Sequence, residues 1–167
     1  MRQETNNIYK FDELSASSQE TAVSNYRNLG REYHWIDDGM DSIKSFCRHY
    51  GVSLKNYELS PYSHSFIDTD AENSNFRGIT LKQVENEKDL MPTGYCIDSD
   101  LYITMFESMK THQGNALEAF SDAIEAGKKS MLDDMRVQDE DEYISEHLEF
   151  NCYEFYEDGS FYKESKA

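Results

Sequence analysis

The chain has 167 residues, enough for one domain with a real core and too few for two comfortable ones, so a single domain over 1–167 is expected. Hydrophobic residues make up 38% and aromatics 13%, with twelve Tyr, nine Phe and only two Pro, which excludes wholesale disorder. Thirty-three Asp and Glu stand against 16 Lys and Arg, a formal charge of −17 that argues against direct nucleic-acid binding and anionic membranes and favours basic surfaces within a Debye length of roughly 8 Å.

The first segment, IYKFDELSASSQETAVSNYRNLG, reads as a short extended entry followed by a capped helix. Ser17 and Glu20 stand at capping-box spacing, Leu14 is placed as a staple, Ala22, Val23 and Tyr26 form one apolar face, and Gly30 is the expected stop. A second helix follows, because Ile36, Met40, Ile43, Cys47 and Tyr50 recur at steps of four and three, with Trp35 and Phe46 widening the stripe and Gly51 ending it. Asp41 and Lys44 on its polar face are spaced as an ion pair.

From Val52 the pattern shifts to short runs, VSLKNYELS, SHSFIDT and FRGITLK, which predict a small antiparallel sheet of about three strands with a bulge in the first. QVENEKDLMPTGYC reads as a loop or short helix. Helical signals return at Asp98, with Leu101, Met105 and Met109 at steps of four, and again from Asn115, with Leu117, Phe120, Ile124, Met131 and Met135 on one face. Gly127 costs that helix about 1 kcal/mol relative to Ala, so a break near GKKS is expected.

The stretch VQDEDEYISEHLEF carries six carboxylates; Asp139, Glu140, Asp141 and Glu142 suit the first turn of a helix, and Ile144 and Leu148 suit its core side. Tyr153, Phe155 and Phe161 then flank Asp158-Gly159, a strong hairpin signal. Helices and strands in blocks give an α+β class, several helices on a small antiparallel sheet with a C-terminal β-hairpin.

Enzyme motifs are absent: the chain contains no GxGxxG, P-loop, HExxH, GxSxG or EF-hand pattern, and a non-enzyme without cofactor or metal is expected. His64 between serines reads as a surface or strand-edge residue, and DTDAEN, Asp68 to Asn73, as a polar turn without the central Gly of a calcium loop. Cys47, Cys96 and Cys152 are odd in number and lack metal spacing, which fits free thiols in a reducing compartment. Cys47 and the methionines at helical spacing read as core, a Met-rich groove being the sharper alternative. With no apolar run long enough for a membrane span, the expected location is the cytoplasm.

Charge is uneven along the chain. Residues 1–117 carry 18 acids and 11 bases, a net of −7, whereas residues 118–167 carry 15 acids and 5 bases, a net of −10. In helices, Glu118, Asp122 and Glu125 share one face and Glu142, Glu146 and Glu149 another, and like charges at such spacing destabilise a helix. Stability therefore does not explain them, and either solubility or binding does. The partner-binding candidates are Glu118, Asp122, Glu125, Asp133, Asp134, Asp139, Glu142, Glu146 and Glu149 with Tyr143 beside them. Phe150, Tyr153 and Tyr156 lie among the acids as further anchors. Duplex DNA carries about one charge per 1.7 Å of axis, so any mimicry here is of a short phosphate patch.

Both ends of the chain carry a resemblance. Lys10, Phe11, Glu13, Leu14 and Ser15, with Tyr26 and Arg27, resemble the K-F-x-E-L-S, helix, Y-R start of small proteins carried by bacteriophages and prophages. Asn151, Tyr153, Phe155, Glu157, Asp158 and Gly159 resemble the N-x-Y-x-F-x-E-D-G hairpin that ends many of them. These motifs read as structural. The resemblance implies a phage setting in which small acidic proteins often inhibit host defence as anti-CRISPR or antirestriction proteins, some of them imitating DNA. The expected partner is then a host defence protein or complex with a basic surface, a homodimer staying open. The alternative is a phage adaptor or structural accessory that binds through aromatics and methionines.

Overall fold

The computed structural model describes residues 7–29 and 33–162, which fall into two compact units: a small one built from both ends of the chain, up to Tyr33 and from Arg136, and a larger one over His34–Met135. The class is α+β. Among the described residues six α-helices accompany two separate two-stranded antiparallel sheets. Among the described residues no helix is long and apolar enough to cross a membrane.

In the small unit, strand β1 (Tyr9–Lys10) leads through a 3-10 turn at Phe11–Glu13 into α1 (Ala16–Asn28), while α6 (Asp141–Phe150) is followed by β4 (Glu154–Phe155). β1 and β4 pair antiparallel, Tyr9 opposite Phe155 and Lys10 opposite Glu154. The Lys10 Nζ donates to Glu154 Oε1 at 3.0 Å and to the Cys152 carbonyl at 3.0 Å. The cap of α1 is Ser15, whose hydroxyl accepts from the Ser18 amide, and not the expected Ser17; Ser15 alone has the extended backbone of a cap, and Ser17 already lies inside the helix. Gly30, the expected stop, lies outside the described residues.

Ala22, Val23 and Tyr26 of α1, Ile144 and Leu148 of α6, Phe11, Leu14 and Phe155 form one buried cluster. The C-terminal hairpin is present: Phe155 and Phe161 bridge, the Tyr156 amide donates to the Ser160 carbonyl at 2.8 Å, and Gly159 turns the chain at φ +83°. A Cβ on Gly159 would lie 2.1 Å from the Ser18 carbonyl oxygen, so that position demands both the left-handed backbone and the absence of a side chain.

The larger unit holds α2 (Ile36–His49), β2 (Leu54–Glu58), β3 (Phe66–Thr69), a 3-10 turn at Ala71–Asn73, α3 (Leu81–Glu87), α4 (Cys96–Thr111) and most of α5 (Ala116–Gln138). The stripe on α2 is buried from Met40 to Tyr50 and half-buried at Ile36, with Phe46 stacked on Phe120 at 5.3 Å and edge-on to Tyr102 at 5.0 Å. Trp35 does not widen it: this residue sits 60% exposed at the N-cap with φ +66°, turned out of the helix. The Cys47 thiol is pushed up to about 12 by burial, an inert core residue.

Two strands form in place of three. β2 and β3 pair with the expected irregularity, between Leu54 and Asn56, but FRGITLK is not a strand. Gly78 turns left-handed at φ +92°, and the Thr80 hydroxyl accepts from the Gln83 amide to start α3, so a helix cap overrides the β-branched run. The expected break at Gly127 is also absent, and α5 runs unbroken through it. A Cβ there would lie 2.9 Å from Ile43 Cδ1 and Leu101 Cδ2, while a Cβ on Gly39 of α2 would lie 2.8 Å from Met131 Cε. Each helix thus presents a glycine to a large side chain of the other, and close packing explains Gly127 where helix propensity does not.

Gly159→Ala is expected to destabilise the protein by about 2–4 kcal/mol in urea unfolding, since backbone strain and a clash with backbone add, whereas Gly51→Ala, also left-handed but facing open space, is expected to cost about 1 kcal/mol. Gly127→Ala is expected to lose about 1–2 kcal/mol by crowding Ile43 and Leu101, net of its propensity gain; a more stable variant in the same assay contradicts this packing account.

Candidate functional site

The proposed acidic residues divide between the two units. Glu118, Asp122, Glu125, Asp133 and Asp134 lie on the α5 portion of the larger unit; Asp139, Glu142, Tyr143, Glu146 and Glu149 lie in the small one.

On α5 each of the three acids of the expected one-signed ridge has a side-chain partner. His112, in the turn between α4 and α5, places Nδ1 2.9 Å from Glu118 Oε2 and Nε2 2.9 Å from Asp122 Oδ2. The Ser108 hydroxyl of α4 donates to the same Asp122 oxygen, and Glu125 pairs with Lys128 at 2.6 Å. Hydrogen bonding from Ser108, then the contact with His112, holds the Asp122 carboxyl below the usual carboxylate range. These groups clip α4 to α5 beside an open cavity of about 560 Å³ that Lys55, Asp68 and Glu72 also line. Glu118, Asp122 and Glu125 thus each have a partner within the fold, contacts that their spacing in the sequence does not show. Asp133 and Asp134 are exposed on the same helix.

Asp139 is also structural in part: its carboxylate accepts from the Tyr33 hydroxyl at 2.6 Å and its carbonyl from Arg27 at 2.9 Å. Arg27 further pairs with Asp141. Of the four acids expected as a helix start, Glu140 is the N-cap residue and Asp141 and Glu142 stand in the first turn, where the helix dipole favours them.

The outer face of α6 differs. Ile144 and Leu148 are fully buried, which fixes the rotation of the helix. At about 100° per residue, Tyr143, His147 and Phe150 then form one stripe and Glu142, Glu146 and Glu149 a second stripe beside it, farther from the core. All three glutamates are exposed, and among the described residues no cation pairs with them. Tyr143, Glu146, His147, Glu149, Phe150 and Asn151 line a shallow concavity of about 500 Å³. Its inner wall is firm: the His147 ring packs 5.3 Å from Tyr26 and 6.0 Å from Tyr153, and the Asn151 side-chain amide donates to the His147 carbonyl at 2.8 Å.

Phe150 is 87% exposed, more than any other large apolar residue described. It stands seven residues after Tyr143, on the opposite side from Leu148, which is the sequence signal for an outward ring. Tyr153 is not an available anchor, because it packs edge-on to Tyr26 at 6.0 Å and to Phe161 at 5.8 Å. Tyr156 packs against Tyr162.

Other chemistry is sparse. His64 is exposed and stacks on Phe66 at a strand start, and the Asp70 carboxylate accepts from the Ser53 amide at 2.6 Å within the polar turn. Among the described residues no three His, Cys, Asp or Glu side chains are placed to hold a metal ion. No protein-family model matches the chain, and no curated protein or solved structure shows significant similarity to it.

Asp122 supplies a pH-dependent test of the α4–α5 clip. Because its folded-state value is depressed, its contribution is present above the unfolded value of about 3.9 and is lost as pH falls through the folded one. Asp122→Asn is expected to cost up to about 1 kcal/mol near pH 6, a small value because the side chain is half exposed, and the difference from the parent is expected to shrink progressively in thermal melts as pH falls below the unfolded value of about 3.9.

Proposed function

We propose that this chain is a binding protein whose α6 face docks a basic protein surface, and that it acts as a phage-encoded inhibitor of a bacterial defence system of the anti-CRISPR or antirestriction kind. The observation that carries the docking proposal is the unpaired glutamate stripe beside an exposed aromatic on α6. Three like charges at helical spacing and a ring left in water both cost stability, and a partner with Lys or Arg and an apolar contact offsets both. Charge of this sign supports fast, salt-weakened association with a nucleic-acid-binding surface, in which the carboxylates take the place of a few phosphates. The phage setting rests on the terminal motifs and the acidic composition.

A second reading has its own observation. Phe150 suits an adaptor or structural accessory that binds through aromatic contact, with acidity serving solubility.

Affinity capture from bacteria carrying CRISPR or restriction systems distinguishes the two. The inhibitor reading expects a partner with a basic surface that elutes as salt rises from about 0.1 to 0.5 M and is lost on combined reversal of Glu142, Glu146 and Glu149 to Lys. Capture that ignores salt and survives the reversals but fails in Phe150→Ala supports the adaptor instead.

A further inference from the structure

We infer that the concavity on α6 receives an arginine side chain of a polypeptide partner, selecting guanidinium over ammonium. This rests on the acidic docking face proposed above and names the group that the face holds.

The two stripes on α6 present different chemistry to one incoming group. Phe150 offers an exposed aromatic ring, and Glu146 and Glu149, three residues apart, offer carboxylates next to it. A guanidinium is planar, weakly hydrated and able to stack on a ring while donating two parallel hydrogen bonds to a carboxylate. An ammonium pairs with the same carboxylates as a point charge, but it holds its water more strongly and has no plane to stack.

The position along the helix adds to this selection. The concavity lies at the C-terminal end of α6, where the aligned peptide dipoles leave partial negative charge. The carbonyls there are already engaged: that of Leu148 accepts from the Tyr153 amide at 3.1 Å, that of Glu149 from the Cys152 amide at 3.0 Å and that of His147 from Asn151. The helix end therefore supplies field without needing a donor from the ligand, and the glutamates supply the acceptors. No Lys or Arg lines the concavity.

Charge decides among occupants. A nucleic-acid backbone or an anionic membrane meets the glutamate stripe with its own sign. A second copy of this chain, at −17, meets it with a strongly acidic surface as well. A basic polypeptide is the complementary partner, and the ring selects its arginines.

Fluorescent octa-arginine and octa-lysine, matched in length and charge, test this by anisotropy at about 0.15 M salt against the full chain, Phe150→Leu, and Glu146→Gln with Glu149→Gln. Phe150 is exposed, so the leucine variant keeps the fold and the acidic rim, which circular dichroism checks. The expected result is tighter binding of octa-arginine by about tenfold, a ratio falling to near one in Phe150→Leu through loss of arginine affinity alone, and weaker binding of both peptides in the double glutamine variant. Equal affinity for the two peptides, or an arginine preference that survives Phe150→Leu, overturns the guanidinium inference; the docking face itself still stands if the glutamine variant weakens both. Peptide binding that the glutamine variant leaves unchanged, or no binding at all, overturns the docking face and the inference together.

Discussion

Burial of Phe155 between the two ends of the chain is the contact on which the small unit depends. Its side chain is fully buried, its backbone pairs with Tyr9, and its ring meets Phe11 at 6.1 Å and Phe161 at 5.0 Å. Two-residue strands are far too short to hold together by hydrogen bonds alone. A fully buried Phe is worth about 3–5 kcal/mol when truncated, so side-chain packing keeps the ends joined and the sheet follows. Around that ring α1 and α6 lie side by side, with Ile144 and Leu148 turned inward. The inward turn of those two residues is what puts Phe150 and the three glutamates in water.

The terminal motifs gain a physical account from this arrangement. Lys10 pairs with Glu154, Phe11 packs on Phe155, Glu13 accepts from the Lys10 amide at 2.7 Å, and Ser15 caps α1. Tyr26 meets Tyr153, the Asp158 carboxylate accepts from Ser160, and Gly159 fits against the Ser18 carbonyl. Residues near position 10 and near position 155 thus act as one motif that closes the unit. The outer face of α6 takes no part in that closure, since only its Ile144 and Leu148 side is buried.

Much of this was legible from periodicity. The α2 stripe, the methionines of α4 and α5, the inward Ile144 and Leu148 and the Asp158-Gly159 turn all depend on neighbours within a few residues. FRGITLK misled because β-branched residues suggest a strand, while Gly78 and the Thr80 cap act first. Gly127 misled because propensity counts only the helix it sits in and not the Ile43 and Leu101 side chains pressed against it. The spacing of the α5 acids does not reveal His112 or Lys128 as their partners, and the His112 contacts arise in the turn between α4 and α5. Of the candidate surface, the glutamates of α6 were visible in the sequence; the exposure of Phe150 beside the packed rings of Tyr153 and Tyr156 follows from the C-terminal aromatic cluster, which spacing does not encode.

Hydrogen exchange on Phe155→Ala, compared with the parent chain, probes the closure most directly. The account predicts that amides of Ile144 and Leu148 in α6 and of Ala22 and Val23 in α1 lose protection together, by about two orders of magnitude or more if opening of this unit governs their exchange. Unchanged protection in α6 while the β4 amides exchange freely would contradict it, since the helix face would then be held by something other than the joined ends of the chain.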